Sequence, residues 1–393
     1  MYVAPGATVI LLGNYRPALT VARVLSAKGY QVEVSCDHDG AAARWSCAVD
    51  GIWNNPDSSD PAVLYAALSN YLASNPQITT VFPLMERYVR NFYTYAHLLP
   101  QDRLYVMPNK LAVDICMDKP RLLDVATRAG LKCARSVEVT NHEALLSAAA
   151  HVGYPLVVKP SDSTIWLGAR KALILADQGA LTHALPEWPD AHETLIVQRF
   201  VDGPRVNLYF AAAGGRAIRY LAVRIERTDI TDGTGLATTG DTIELDPALK
   251  AMADTLLDHL HYHGVGCIQV LMERATGQPS FLEINPRIGG NHAITTQCGL
   301  DMDTLALDLA RQEPLDTTLR IGHAGKRYVW TTGDLHGLGR ALRNKEASVV
   351  KTLIRSAGAT WRGLITRRHV TWKLTDPMPS LVLLSRLIPG IRF

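Results

Sequence analysis

Residues 281–291 read FLEINPRIGGN, with Glu283, Asn285 and Arg287 at alternate positions where a sheet facing an apolar core would carry Val or Ile. Period two sends these three side chains to one face and Leu282 and Ile284 to the other, toward a core. The segment VGCIQVLMERATGQPSFLEINPR (265–287) predicts two strands around a turn near Thr276 and Gly277. Positions equidistant from a centre at Thr276 pair across such a hairpin, which sets Gln269 opposite Glu283. An amide oxygen, a carboxylate and the Asn285 amide oxygen then converge, a set suited to a hard cation such as Mg²⁺. One carboxylate is too little for a self-sufficient cage, but it suffices where nucleotide phosphates supply the remaining ligands and charge.

Phosphates need cations. Lys159 ends the apolar run YPLVVKP (154–160), where Pro160 keeps it extended, and Lys119 opens DKPRLLDVATRAG (118–130), a helix running from Pro120 to a Gly130 stop. Either lysine alone reads more readily as a solvated surface residue, and the conjunction with the carboxylate strand is what points to phosphate. Further on, LIVQRFVDG (195–203) is a strand and VNLYFAAAGGRAIRYLAVRIER (206–227) a long hairpin around Gly214 and Gly215. The polar, glycine-containing TDITDGTGLATTGDT (228–242) reads as a mobile loop, a lid or a surface excursion. PALKAMADTLLDHLHYHG (247–264) is an amphipathic helix; His259, His261 and His263 point around different sides of its end, which argues against a metal site there.

Ahead of this region, ATVILLG, RPALTVARVLSAKGY and QVEVSC make residues 7–36 a βαβ unit. A helix over 60–76, capped by Asp60 with Pro61 at its first position, leads to the strand ITTVFPL (78–84). Residues 1–108 thus read as a Rossmann-like domain, although no GxGxxG follows the first strand and a dinucleotide is poorly supported. The length of 393 residues, with 47% hydrophobic and 20% charged side chains, fits two or three globular domains. Six scattered cysteines without a CxxC pair argue against a zinc site and a disulfide framework, and the N-terminal apolar run is too short for a leader, so a cytoplasmic protein is expected.

In order, MDKPRLLDVATRAGL, YPLVVKP, LIVQRFVDGP and GVGCIQVLMERATGQPSFLEINPR resemble successive signature segments of the ATP-grasp superfamily over residues 109–312. The Gln269, Glu283, Asn285 set most resembles its carbamoyl-phosphate-synthetase-like, carboxylate-amine ligase branch. The resemblance implies an α/β and α+β chain: a Rossmann-like N-terminal domain (1–108), an ATP-grasp fold of two α+β subdomains gripping ATP (109–312), and a helical, basic C-terminal tail (313–393). It implies that Lys119 and Lys159 touch the ATP phosphates and that Ser161, Ser163 and Gly168 belong to a phosphate-covering loop with fewer glycines than is usual. The backbone of Arg199 and Val201 would read the adenine edge, with Gln198 and Phe200 beside it. Gln269, Glu283 and Asn285 would hold Mg²⁺, or Mn²⁺ in its place, and Arg287 would steady the acyl phosphate and the moving phosphoryl group. Arg205 stands where many relatives carry an acid for the ribose hydroxyls, leaving Asp202 or Asn207 to accept those bonds.

Such enzymes phosphorylate a carboxylate to an acyl phosphate that an amine attacks. Arg224 and the GGNH turn (Gly290, Asn291, His292) are candidates for the substrate pocket, against the readings of Arg224 as an exposed strand arginine and His292 as a hydrogen-bonded structural residue. Glu86, after a strand end, is a candidate contact for the amine, with a salt bridge to Arg87 or Arg90 as the plainer reading. The expected activity is ATP-dependent ligation of a small carboxylate to an amine, with release of ADP and phosphate. The alternatives are another acceptor, in bicarbonate-type or sugar-linked acid chemistry, and a catalytically silent nucleotide-binding protein. A homodimer is the base-rate oligomer, and nucleic acid is not an expected partner.

Residues 320–393 carry 14 basic and 3 acidic side chains, a charge of +11, whereas the 26 basic and 34 acidic side chains before them give −8. Within this tail, positions 350, 353, 354, 357, 361, 364 and 365 form an apolar helical stripe, with Lys351, Arg355 and Arg362 opposite. The stripe is expected to pack on the core, or to meet a membrane surface or an anionic polymer together with SLVLLSRLIPGIRF (380–393).

Overall fold

The computed structural model describes residues 7–36, 42–161, 167, 170, 172–185 and 194–387. The N-terminal third alternates strands and helices: β1 (Thr8–Leu12), α1 (Arg16–Ala27), β2 (Gln31–Ser35), β3 (Gly51–Trp53), α2 (Pro61–Ser74), β4 (Ile78–Pro83), α3 (Glu86–Tyr95) and β5 (Leu104–Tyr105). All pairings are parallel, in the order β3-β2-β1-β4-β5. A parallel sheet needs both faces covered. Accordingly Val9 and Leu11 pack with α1 on one side, while Ile10 and Leu12 pack with α2 and α3 on the other. The Asp60 carboxylate accepts from the Ala62 N–H at 2.8 Å and so sets the start of α2.

Two helices, α4 (Lys110–Cys116) and α5 (Lys119–Arg128), lead into a small four-stranded antiparallel sheet. It comprises β6 (Ser136–Val139), β7 (Leu156–Pro160), β8 (Leu173–Leu175) and β9 (Leu195–Arg199), in the order β6-β9-β7-β8, backed by α6 (His142–Val152) and α7 (Gln178–Ala184). The larger sheet follows with β10 (Arg205–Ala213), β11 (Arg216–Thr228), β12 (Ala237–Thr242), α8 (Pro247–His259), β13 (Gly264–Met272) and β14 (Pro279–Asn285). Gly203, just before β10, permits the close approach of these strands, because a Cβ there would lie 2.0 Å from the Met272 carbonyl oxygen.

After α9 (Ala293–Gln297) and α10 (Met302–Arg311), the chain returns to the same sheet. The short strands β15 (Arg320–Ile321), β16 (Arg327–Val329) and β17 (Arg368–His369) join it by pairing with β11, β12 and β16 respectively, so the C-terminal region is built into the large sheet rather than appended to it. The remaining helices are α11 (Thr331–Arg343), α12 (Val349–Ile365) and α13 (Met378–Ser385). One face of the large sheet carries Leu208, Phe210, Ile268 and Ile284 into a core with α4, α5 and α8. On the other face, Tyr209, Leu221, Val265 and Cys267 pack toward the N-terminal sheet.

Two expectations are corrected here. Segment 228–242 is no free loop, because its last six residues are β12, and Asp229 and Gly235 are held by Arg340 and Arg205. Leu282 is only partly buried: the β13–β14 register shifts between Gln269 and Val270, and Phe281 takes the core position on the turn side of the shift.

Candidate active site

The same hairpin sets the site. Beyond the register shift Gln269 pairs with Glu283 and Cys267 with Asn285, and on the adjacent strand Asn207 pairs with Gln269. Four oxygen-bearing side chains therefore share one patch of sheet face. The Asn285 Nδ2 donates to Glu283 Oε1 at 3.0 Å, and Arg287 Nη2 donates to Asn285 Oδ1 at 3.3 Å. The alternation legible in FLEINPR thus becomes a chain of contacts, Glu283 to Asn285 to Arg287.

The small sheet supplies the facing wall. Lys159 sits on β7 and donates to Gln198 Oε1 on β9 at 3.1 Å, while Lys119, at the start of α5, donates to the Pro160 carbonyl at 3.3 Å. Burial pushes the Lys159 ammonium down to about 8, with Glu283 pulling the other way and Lys119 adding to the fall. Burial alone would lift the Glu283 carboxyl, but Lys119, Lys159, the Asn285 amide and Arg287 outweigh it and hold it below the ordinary carboxylate range. The two lysines and this carboxylate form one electrostatic unit across the cleft.

The third wall comes from the N-terminal sheet, at the carboxyl ends of β1 and β4, where the strand order reverses. Glu86 begins α3 beside that point. It accepts from Arg90 Nη2 at 2.8 Å, the plainer expected reading, and its other oxygen lies 3.9 Å from Arg287 Nη2. The Tyr15 hydroxyl donates to the Leu84 carbonyl at 2.8 Å and lies 3.5 Å from Arg287 Nη1. Burial opposes the Arg287 charge, yet Tyr15, Glu86 and Glu283 raise its pKa above the ordinary arginine value.

Sequence reading missed Tyr15 and Arg16. Arg16 is buried, stacks 3.6 Å from the Trp330 ring centroid and donates to Asn291 Oδ1 at 2.6 Å. Burial pushes its pKa down to about 10, and among the described residues no carboxylate bonds to it directly. The signal was GNYRP immediately after the first apolar strand, at the edge where ligands bind in open α/β sheets.

Several expected contacts fall elsewhere. Arg224 lies on the opposite face of β11 from Val223, is exposed, and pairs with Glu226 at 2.6 Å, so period two removes it from the cleft. His292 is buried against Asp303 (2.7 Å) and Thr295 (3.1 Å), the structural alternative. Asn291 is spent on Arg16, Ala237 and Tyr328, and Gly290 makes room for Arg16, whose Nη2 would meet a Cβ at 2.8 Å. Asp202 pairs with Arg274 at the surface, so it does not turn toward the cleft. Arg205 instead donates twice to the Gly235 carbonyl, both at 3.1 Å. The Arg199 N–H donates to the Arg135 carbonyl and the Phe200 N–H to the Pro155 carbonyl, so neither of these donors is available to adenine. The Ser161 N–H donates to Thr194; Ser163 and Gly168 lie outside the described residues.

His292→Ala is expected to lower stability by about 3 kcal/mol, since it leaves the buried Asp303 carboxylate short of a partner. A urea midpoint measures this loss. A changed KM with unchanged stability would return His292 to the substrate pocket.

The donor set fits a hard divalent cation: the oxygens of Gln269, Glu283 and Asn285 adjoin Asn207 Oδ1, which is buried without a hydrogen-bond partner. Gln198 Nε2, Arg205 Nε and Arg287 Nε are likewise buried and unpartnered. Among the described residues no group of three His, Cys, Asp or Glu side chains stands ready to hold a metal alone.

Residues 191–331 match the family described as ATP-grasp in the biosynthetic pathway with Ter operon. The chain is 26% identical over 228 residues to the carbamoyl phosphate synthase large chain of Kocuria rhizophila, covering 52% of this chain and 20% of that one. It is 24% identical over 224 residues to the D-alanine–D-alanine ligase of Xanthomonas axonopodis pv. citri, covering 53% and 69%. The chain thus spans about a fifth of the length of the carbamoyl phosphate synthases it matches. Among solved structures, N5-carboxyaminoimidazole synthetase from Staphylococcus aureus complexed with ADP superposes with a TM-score of 0.65 at 14% identity, covering 87% of each chain. The L-amino acid ligase from Bacillus licheniformis gives a TM-score of 0.59 at 16% identity, covering 80% and 76%. Residues 191–331 thus carry an ATP-grasp family match, and the chain shares its fold with these solved structures.

Proposed function

We propose that this protein is an ATP-dependent carboxylate-amine ligase, converting a small carboxylate to an acyl phosphate and then to an amide, with release of ADP and phosphate. The observation that carries this reading is the meeting of Lys119 and Lys159 with Glu283, Asn285 and Arg287 across one cleft. Lys119 and Lys159 bind the phosphates of ATP, and Gln198, with its free Nε2, sits where a base or phosphate needs a donor. The Arg199 carbonyl and the Val201 N–H serve the adenine edge. Gln269, Glu283 and Asn285 would hold Mg²⁺, which would offset the charge of the phosphates. Arg287 stabilises the charge that develops on the transferred phosphoryl oxygens and orients the carboxylate that attacks. Glu86, close to Arg287, receives the amine. Asn207, with its unpartnered oxygen beside Gln269, completes the oxygen-rich floor.

ADP release from Mg-ATP against pooled carboxylates, with and without pooled amines, tests the reading. Release that requires both pools is the expected result. Release with carboxylates alone identifies a different acceptor, and ATP binding without turnover in any pool counts against ligation.

A further inference from the structure

Helix α12 packs the wrong way round for a core helix. Its inward side consists of Thr352, Arg355, Ser356, Ala359, Arg362 and Gly363, and it is tied down by Arg362, which donates to Asp334 at 2.9 Å. The apolar stripe points to solvent: Val350, Leu353, Ile354, Trp361, Leu364 and Ile365 are each 58–76% exposed. A stripe of this size, running along 17 residues or about 25 Å of helix, is far more apolar surface than scattered exposed side chains account for.

The charges around it are equally one-sided. All three acids after residue 319 turn toward the body: Asp334 pairs with Arg227 and Arg362, Glu346 with Arg170, and Asp376 with Arg23. Lys345, Lys351, Arg367 and Lys373 remain exposed around the helix and the segment that follows it. The outward face therefore combines an apolar stripe, an aromatic ring at Trp361 and cations that form no ion pair among the described residues.

We propose that this face docks in the plane of an anionic phospholipid surface, with Leu353, Ile354, Trp361 and Leu364 in the headgroup and acyl boundary and the cations against the headgroups. A second copy of the chain is a poorer occupant, because a two-fold contact sets the same cations against one another with no acid to pair them. A polyanion satisfies the cations but leaves the apolar stripe in water. The contact is peripheral: among the described residues no helix is long and apolar enough to cross a membrane.

Sedimentation of the full chain with phosphatidylcholine vesicles, with and without phosphatidylglycerol, tests this contact independently of ligase chemistry. The chain is expected to pellet with the anionic vesicles, less so at high salt, and to show a blue-shifted emission that Trp361→Phe removes. Leu353→Asp with Leu364→Asp, both at highly exposed positions, should abolish pelleting while ADP release without vesicles is unchanged. Lys351→Glu with Arg367→Glu should weaken it by roughly 10- to 100-fold. Three results overturn the proposal: no pelleting with either vesicle, equal pelleting with neutral vesicles that the aspartates leave intact, or a solution dimer that Leu364→Asp converts to monomer.

Discussion

Glu283→Ala is expected to lower kcat for ADP release by roughly 10²- to 10³-fold without unfolding the chain, the scale on which an electrostatic group at a reacting centre acts. The argument lies in the charge balance. Glu283 is the carboxylate that Lys119, Lys159 and Arg287 surround, and its removal leaves three cations facing one another across the cleft. It also removes the charged oxygen from the set that fits Mg²⁺. Steady-state kinetics across a magnesium titration check this, because excess metal cannot restore a lost ligand. A second readout is independent of turnover. Glu283 raises the Lys159 pKa, so the pH at which ATP affinity begins to fall should move below about 8 in the variant. Unchanged kcat together with an unmoved pH profile would remove Glu283 from the reaction.

For the wild type, Mg-ATP affinity is expected to fall as pH rises through about 8, by roughly tenfold per unit once well above it, and Lys159→Arg is expected to abolish that slope. The sign follows from burial. The folded chain releases the Lys159 proton near pH 8, whereas the unfolded chain holds it to the ordinary value of 10.5. Between these values the unfolded state binds more protons, so the ligand-free protein gains stability as pH rises while its cation for phosphate is lost. Phosphates beside Lys159 favour the charged form, and binding between pH 8 and 9 should therefore take up a proton. Titration calorimetry in buffers of different ionisation enthalpy measures that uptake. Arginine keeps its charge throughout this range and makes the profile flat, at whatever cost its larger fork brings to the Gln198 contact. A flat wild-type profile would mean that Lys159 does not carry the phosphate charge.

Both expectations rest on residues legible in the sequence, and the reason is local. Along β14 the backbone alone fixes that Glu283 and Asn285 share a face, so FLEINPR could be read without knowing what it faces. The β1–α1–β2 unit was equally readable, since an apolar run, a helical period and an alternating run follow one another within 30 residues. The capping acid before α2 announced its own helix in the same way. The hairpin shows where such reading stops. Symmetry about Thr276 placed Gln269 opposite Glu283 correctly, yet the register nearer the turn is shifted by one residue, and that shift moved Leu282 out of the core.

The remainder depended on separations no local pattern encodes. Arg224 and Val223 are neighbours in the chain and face opposite sides of the sheet, and only the pairing with β10 decides which of them meets the cleft. Arg16 reaches Asn291 across 275 positions, and Arg205 is taken up by Gly235 rather than left for a ribose. The orientation of α12 is the plainest case. Its period fixed an amphipathic helix, but whether the apolar stripe turned inward was settled by the Arg362–Asp334 pair and the small residues that let the polar side approach the body. Sequence by itself determined the elements, their caps and the oxygen-rich strand, because these depend on neighbours a few residues away. Tertiary structure alone decided which side chains converge on the cleft and which apolar face stays outside, because both depend on strand pairing and charge partners far apart in the chain.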